Sequence, residues 1–295
     1  METLITTVTD GQKKQVKRFA EDAVDRAIAE GLLDKDGIQK LIENGDKFQA
    51  RIIIGIKELS LYNQFAHEEV ESSYAYPKEY KGPKPIADQI KVITKIFDLD
   101  PASALEYAKN LPQLPDGAEG WFAIPRWEKI APTYGEALQK VLAMIASKRE
   151  FYDYRDGRLG AEYLRQHAKT AKMFQKLGDE QKDHDILVVP AQFGLRYRGR
   201  SVRRAREVFQ ANEFGLGAFA VGIMLLTHPE REVRWEQLHV DCAGDEFAPG
   251  GFGSFSSAPL FGCFAVDRVC FDAYWFGSVY EHYGSASAFL SSDLL

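Results

Sequence analysis

Between positions 194 and 246 the chain passes from a dense cationic cluster, through an apolar run, to a group of carboxylates. The middle of this stretch restricts the fold most. Residues 214–226 read FGLGAFAVGIMLL, with no charge and three glycines. Such a run is too short to span a bilayer, so it predicts a helix buried on all sides. Its small residues would let another backbone come close. The rest of the chain must therefore supply a cover for this segment while accommodating the charge that flanks it.

The composition permits such a cover. With 295 residues, 45% of them hydrophobic and 27% charged, the chain can build one large or two smaller globular domains. Its net charge of −6 provides no overall basic field to hold a nucleic acid, so any anion-binding surface must be local. The three cysteines, Cys242, Cys263 and Cys270, form no CxxC pair. That argues against a disulfide framework and a structural zinc site, and fits a reducing cytoplasm. The start METLITTVTDGQKKQ lacks the apolar core of a secretory signal. The expectation is a soluble, cytoplasmic chain with no membrane partner.

Up to about residue 184 the pattern is mainly helical. Thr9 or Asp10 caps a helix to about Glu30, with Val16, Phe19, Ala23 and Ala27 at helical spacing. Asp34 starts a second, and residues 48–61 read as a third. The segment YPKEYKGPKP (76–85) is an extended connector. Helices follow from Pro85 and from Asp100-Pro101, then a short strand or aromatic plug GWFAIP, then an amphipathic helix capped by Thr133. Residues 159–177 read as another helix.

The texture changes at Asp185. ILVVP predicts a buried strand, Ser201 caps the helix VRRAREVFQAN, and WEQLHVDC alternates as a strand. AGDEFAPGGFGSFSSAP (243–259) reads as a glycine-rich loop, and PLFGCFAVDRVCFDAYWF as a hairpin turning near Asp267-Arg268. YGSASAFLSSDLL reads as a flexible tail or a docked loop. The predicted class is α+β: a mainly helical N-terminal half, and a C-terminal half with a small mixed or antiparallel sheet and helices. The expected segments are 1–80, 81–184 and 185–295.

The stretches RGRSVRRAREVFQANEFGLGAFAVGIMLLTHPER, WEQLHVDCAGDEFAP and YGSASAF, with YPKEYKGPKPIADQI and AEGWFAIP, resemble a family of bacterial proteins to which no activity is assigned. The resemblance covers most of the chain and implies no functional residue.

Two groups of residues carry candidate chemistry. Arg196, Arg198, Arg200, Arg203, Arg204 and Arg206 crowd around Gly199. Arginine matches phosphate and carboxylate oxygens in pairs, and a glycine before a helix start would let a phosphate reach the backbone amides. The partner would be a nucleic acid, a phosphorylated ligand or, equally, the chain's own 43 acidic residues. His239, Asp241, Asp245 and Glu246 form the second group, able to hold a divalent metal for chemistry at a phosphate; otherwise no cofactor is expected. Asp241 and Asp245 are also natural partners for the arginines. No G-x-S-x-G, G-x-G-x-x-G or Walker sequence is present. The leading expectation is an anion-binding protein. A non-catalytic scaffold or assembly protein and a metal-dependent phosphate-processing enzyme are the alternatives, with homo-oligomerisation open.

Overall fold

The computed structural model describes residues 8–59, 64–232, 234–251, 253–265 and 268–290. The chain divides into two compact units, Met1–Lys57 and Glu58–Leu295.

The first unit is helical, as its periodicity predicts. Helix α1 spans Asp10–Ala29, and Thr9 and Gln12 close a reciprocal capping box at its start. Helix α2 spans Lys35–Glu43, with the Asp34 carboxylate accepting from the Gly37 amide at 2.7 Å. Helix α3, Gly45–Leu59, crosses into the second unit. Neither α1 nor α2 buries a single residue.

The second unit is α+β. Its first helices are α4 (Ile86–Thr94) and α5 (Ala102–Tyr107), and GWFAIP forms strand β1 (Gly120–Pro125). Helix α6 (Tyr134–Lys148) begins with a Thr133–Glu136 capping box and buries Leu138, Val141, Leu142 and Ile145, the face its spacing marks. Strands β2 (Phe151–Asp153) and β3 (Leu164–Gln166) come next, then helix α7 (Ala168–Glu180). The expected helix over 159–177 is thus corrected: Leu164 pairs with Phe247 in a sheet, and the helix starts only after His167. The chain continues through β4 (Ile186–Gln192), α8 (Val202–Val208), β5 (Glu213–Gly215) and α9 (Ala218–Thr227). Strands β6 (His239–Asp241), β7 (Asp245–Phe247), β8 (Ser257–Ala265), β9 (Arg268–Trp275), β10 (Tyr283–Ser285) and β11 (Ser287–Phe289) complete it.

The strands form two sheets. One is antiparallel in the order β1-β4-β11-β5. The edge strand β1 pairs with β4 across the expected boundary at 184/185. The other is mixed, with order β10-β6-β8-β7-β3 and with β9 between β8 and β2. The expected hairpin is β8–β9, and its turn at 266–267 lies outside the described residues. The end of the chain is docked rather than loose. β10 lies parallel to β6 in the mixed sheet and β11 lies between β4 and β5 in the antiparallel one, so a single strand path ties the sheets together. Phe289 and Leu290 are fully buried. Residues 291–295 lie outside the described residues.

Helix α9 is the centre of the core, and all ten of its residues are buried. A methyl group on Gly222 would sit 2.6 Å from Val141 Cγ1 of α6, so the glycine lets the two helices close up, as the small-residue run implies. Among the described residues no helix is long and apolar enough to cross a membrane.

Candidate functional site

The six arginines converge, and on partners inside the fold. The segment 68–72 runs along 199–201, with Val70 N donating to Gly199 O at 2.8 Å and Ser201 N to Glu68 O at 3.2 Å. Gly199 has φ +72°, and a side chain there would strike the Val70 carbonyl. The close backbone approach that the glycine permits is therefore used by another stretch of this chain.

Helix α8 begins at the same place. The Ser201 hydroxyl caps it, accepting from Arg204 N at 3.1 Å, and donates to Glu68 Oε2 at 2.6 Å. Arg203 Nε lies 2.7 Å from the same oxygen, and its guanidinium stacks between the Phe65 and Trp275 rings at 4.4 and 4.7 Å. The Glu68 carboxylate thus supplies, from within the chain, the acceptor for the Arg203 guanidinium. Burial alone would raise its pKa, but the Arg203 and Ser201 hydrogen bonds outweigh it and hold the group below its ordinary value.

The others follow suit. Arg200 pairs with Glu69 at 3.2 Å, and Arg204 with Glu69 and with Glu207, the latter at 2.8 Å. Arg206 donates to the Ala243 and Asp245 carbonyls at 2.9 and 2.7 Å. Arg196 donates to the Tyr197 hydroxyl at 3.0 Å and lies 3.8 Å from the buried Glu213. Arg198 donates to the Tyr74 carbonyl at 2.9 Å. The expected partners in the 241–246 region meet one arginine, Arg206, and only through backbone oxygens. The main carboxylate partners, Glu68 and Glu69, lie more than 130 positions away in sequence, with no local signal to announce them.

His239, Asp241, Asp245 and Glu246 are not brought together, which corrects the expected metal group. His239 and Asp241 share a face of β6, but the ring is spoken for on both sides. Its Nδ1 accepts from Cys263 N at 3.1 Å, which leaves Nε2 to donate to Trp235 O at 3.0 Å. Burial pushes its pKa down to about 4, so the imidazole is neutral. Asp245 accepts from Tyr134 Oη at 2.8 Å and from Ala218 N at 2.7 Å, placing its carboxylate on the first amide of α9. Close crossing of the glycine backbones at Gly215 and Gly244 makes this reach possible. Glu246 points elsewhere and pairs with Arg165 at 2.8 Å. Among the described residues no three His, Cys, Asp or Glu side chains gather as a metal-holding group.

Asp241 stands apart. It is buried, its carboxylate has no hydrogen-bond partner among the described residues, and burial pushes its pKa up to about 7. Its register neighbour Ser285 and the adjacent Tyr283 also keep unpartnered hydroxyls.

One feature escaped sequence reasoning. A cavity of about 410 Å³ opens between β1, the start of α6, α7 and the start of α9. Ile124 and Leu187, paired across β1 and β4, line it together with Trp127, Tyr134, Phe174 and Phe219. These residues come from separate elements of the chain, so their convergence depends on how distant segments pack. The chain matches no family model, no curated protein and no solved structure.

Proposed function

We propose that the protein is a non-catalytic assembly component that associates with a second copy of itself through α1. The observation that carries this reading is the uncovered apolar stripe of α1. Val16 is 53% and Phe19 59% exposed, and Ala20 and Ala23 continue the same face. An isolated helix gains little from its caps and is stabilised chiefly by burying its apolar face.

The charge pattern selects the partner. Residues 10–18 carry four cations and one carboxylate, whereas residues 19–30 carry four carboxylates and one cation. Two copies laid antiparallel along this face bring the cationic half of each helix alongside the acidic half of the other. The pairing repeats on both sides of a two-fold axis and closes without leaving an open end. The internal engagement of the arginine cluster supports the same reading, because it turns the chain's densest positive charge into ties that hold its own segments.

Sedimentation equilibrium on the full chain tests the proposal. The expected result is a dimer that dissociates in Phe19→Glu while the second unit melts unchanged. Replacing Lys13, Lys14, Lys17 and Arg18 by glutamate should also dissociate it, and mixing that variant with one in which Glu21, Asp22, Asp25 and Glu30 are lysines should restore association. A wild-type chain that stays monomeric at all concentrations overturns the reading.

A further inference from the structure

We propose that the cavity beside α7 and the start of α9 binds a planar heteroaromatic molecule of nucleobase size that carries no phosphate. This inference concerns the second unit alone and does not depend on self-association.

The size and walls set the shape. A volume of about 410 Å³ falls within the range of small-molecule sites. Tyr134 touches Trp127 edge-on, with ring centroids 6.0 Å apart, and Phe219 at 6.2 Å. These rings with Phe174 offer π-faces and edges to a flat guest, and the Ile124–Leu187 floor supplies an apolar base.

The polar groups set the chemistry. Gln166 and Gln175 also line the cavity, and neither side-chain amide has a hydrogen-bond partner among the described residues. An amide presents a donor and an acceptor side by side. That matches the paired ring nitrogen and exocyclic amine or carbonyl along a nucleobase edge, as it does where glutamine reads adenine.

The anion-binding positions are already filled. Asp245 takes the Ala218 amide, and the Tyr134 hydroxyl accepts from the Phe219 amide at 3.4 Å, so the start of α9 offers a phosphate little. Arg126 turns away to the Gly178, Gln181 and His184 carbonyls at 2.6–2.7 Å. Glu128 and Asp179 add negative charge to the lining. An uncharged or cationic heterocycle fits this field, and a nucleotide does not.

Calorimetric titration of the full chain with adenine, guanine, cytosine and uracil, with the matching nucleosides and 5′-monophosphates, and with indole, provides the test. One base or its nucleoside should bind, and its monophosphate should bind at least tenfold more weakly. Gln175→Leu lies on the exposed side of α7, so it should leave the melting temperature in place while weakening that base by about tenfold. No heat with any base at millimolar concentration overturns the proposal. So do equal affinity for indole, equal affinity for the monophosphate, and an unchanged affinity in Gln175→Leu.

Discussion

Helices α1 and α6 begin alike and end differently. Each starts at a threonine that closes a capping box with the residue three positions on, and each carries apolar side chains at helical spacing. Helix α6 buries that face against α9 and the sheets, whereas α1 buries none of it. The same local pattern therefore yields a core element in one unit and an open surface in the other. Periodicity specifies a helix and which of its sides is apolar. What comes to cover that side depends on other segments or other molecules.

The contrast can be broken most sharply at Arg231. It is fully buried, donates to the Leu238 and Phe193 carbonyls at 2.7 and 2.9 Å, and lies 4.2 Å over the Tyr76 ring. Arg231→Leu leaves those oxygens and the neighbouring buried Glu232 without their cation, at a cost of about 3–5 kcal/mol. Chemical denaturation followed by tryptophan fluorescence would register it. A loss under about 1 kcal/mol would remove the picture of a tightly held second unit.

Asp241 sharpens it through pH. Its folded pKa of about 7 stands above the ordinary 3.8, so the native state retains a proton the unfolded chain has lost. The group costs no stability below pH 4, where both states are protonated. Its cost grows as pH rises from about 4 to about 7 and is constant beyond, on the order of 1.4 kcal/mol per pH unit. Asp241→Asn should therefore melt higher than the wild type at pH 8 and level with it at pH 4. The neutral His228 and His239 act in the opposite sense, losing stability as pH falls through 6.5 toward about 4, but they are common to both proteins and cancel in the difference. A difference in melting temperature that is flat across pH 4–8 would show that Asp241 ionises normally.

Arg203→Glu comes next. Glu68 is 5% and Arg203 25% exposed, so solvent screens the pair only in part, and reversing the charge should cost about 2 kcal/mol. The thermal transition should fall by several degrees. An unchanged transition, together with a DNA mobility shift at low salt, would return the cluster to ligand binding. At the small end, Phe19→Glu should alter the melting of the second unit by less than about 0.5 kcal/mol, since a substitution on an exposed face removes no buried contact. A larger loss would mean that α1 is part of that unit's core.

Much of the fold was legible in local chemistry. Thr133, Ser201 and Asp34 announce their helices because a cap is a matter of four consecutive residues. The buried helix at 218–227 and strand at 186–192 follow from hydrophobicity alone. Strand β3 and its partner β7 did not, because three-residue strands such as Leu164–Gln166 are made by pairing and have too little pattern of their own. For the tail, local chemistry left a loose and a docked end open, and only the pairing of β11 between β4 and β5, with Ser287 buried there, decides for the docked one.

The amino-acid sequence by itself determined where charge and apolar surface lie: six arginines around Gly199, carboxylates at 241–246, and an uncharged segment between them. It also determined that these arginines would need acceptors, because a guanidinium keeps its charge and its donors in any surroundings. Which acceptors they found was decided only by the tertiary structure. Glu68 and Glu69 reach α8 because the 68–72 segment lies along Gly199, and Asp245 reaches α9 because the Gly215 and Gly244 backbones cross. Such contacts depend on how distant segments pack, and that information is spread over the whole chain.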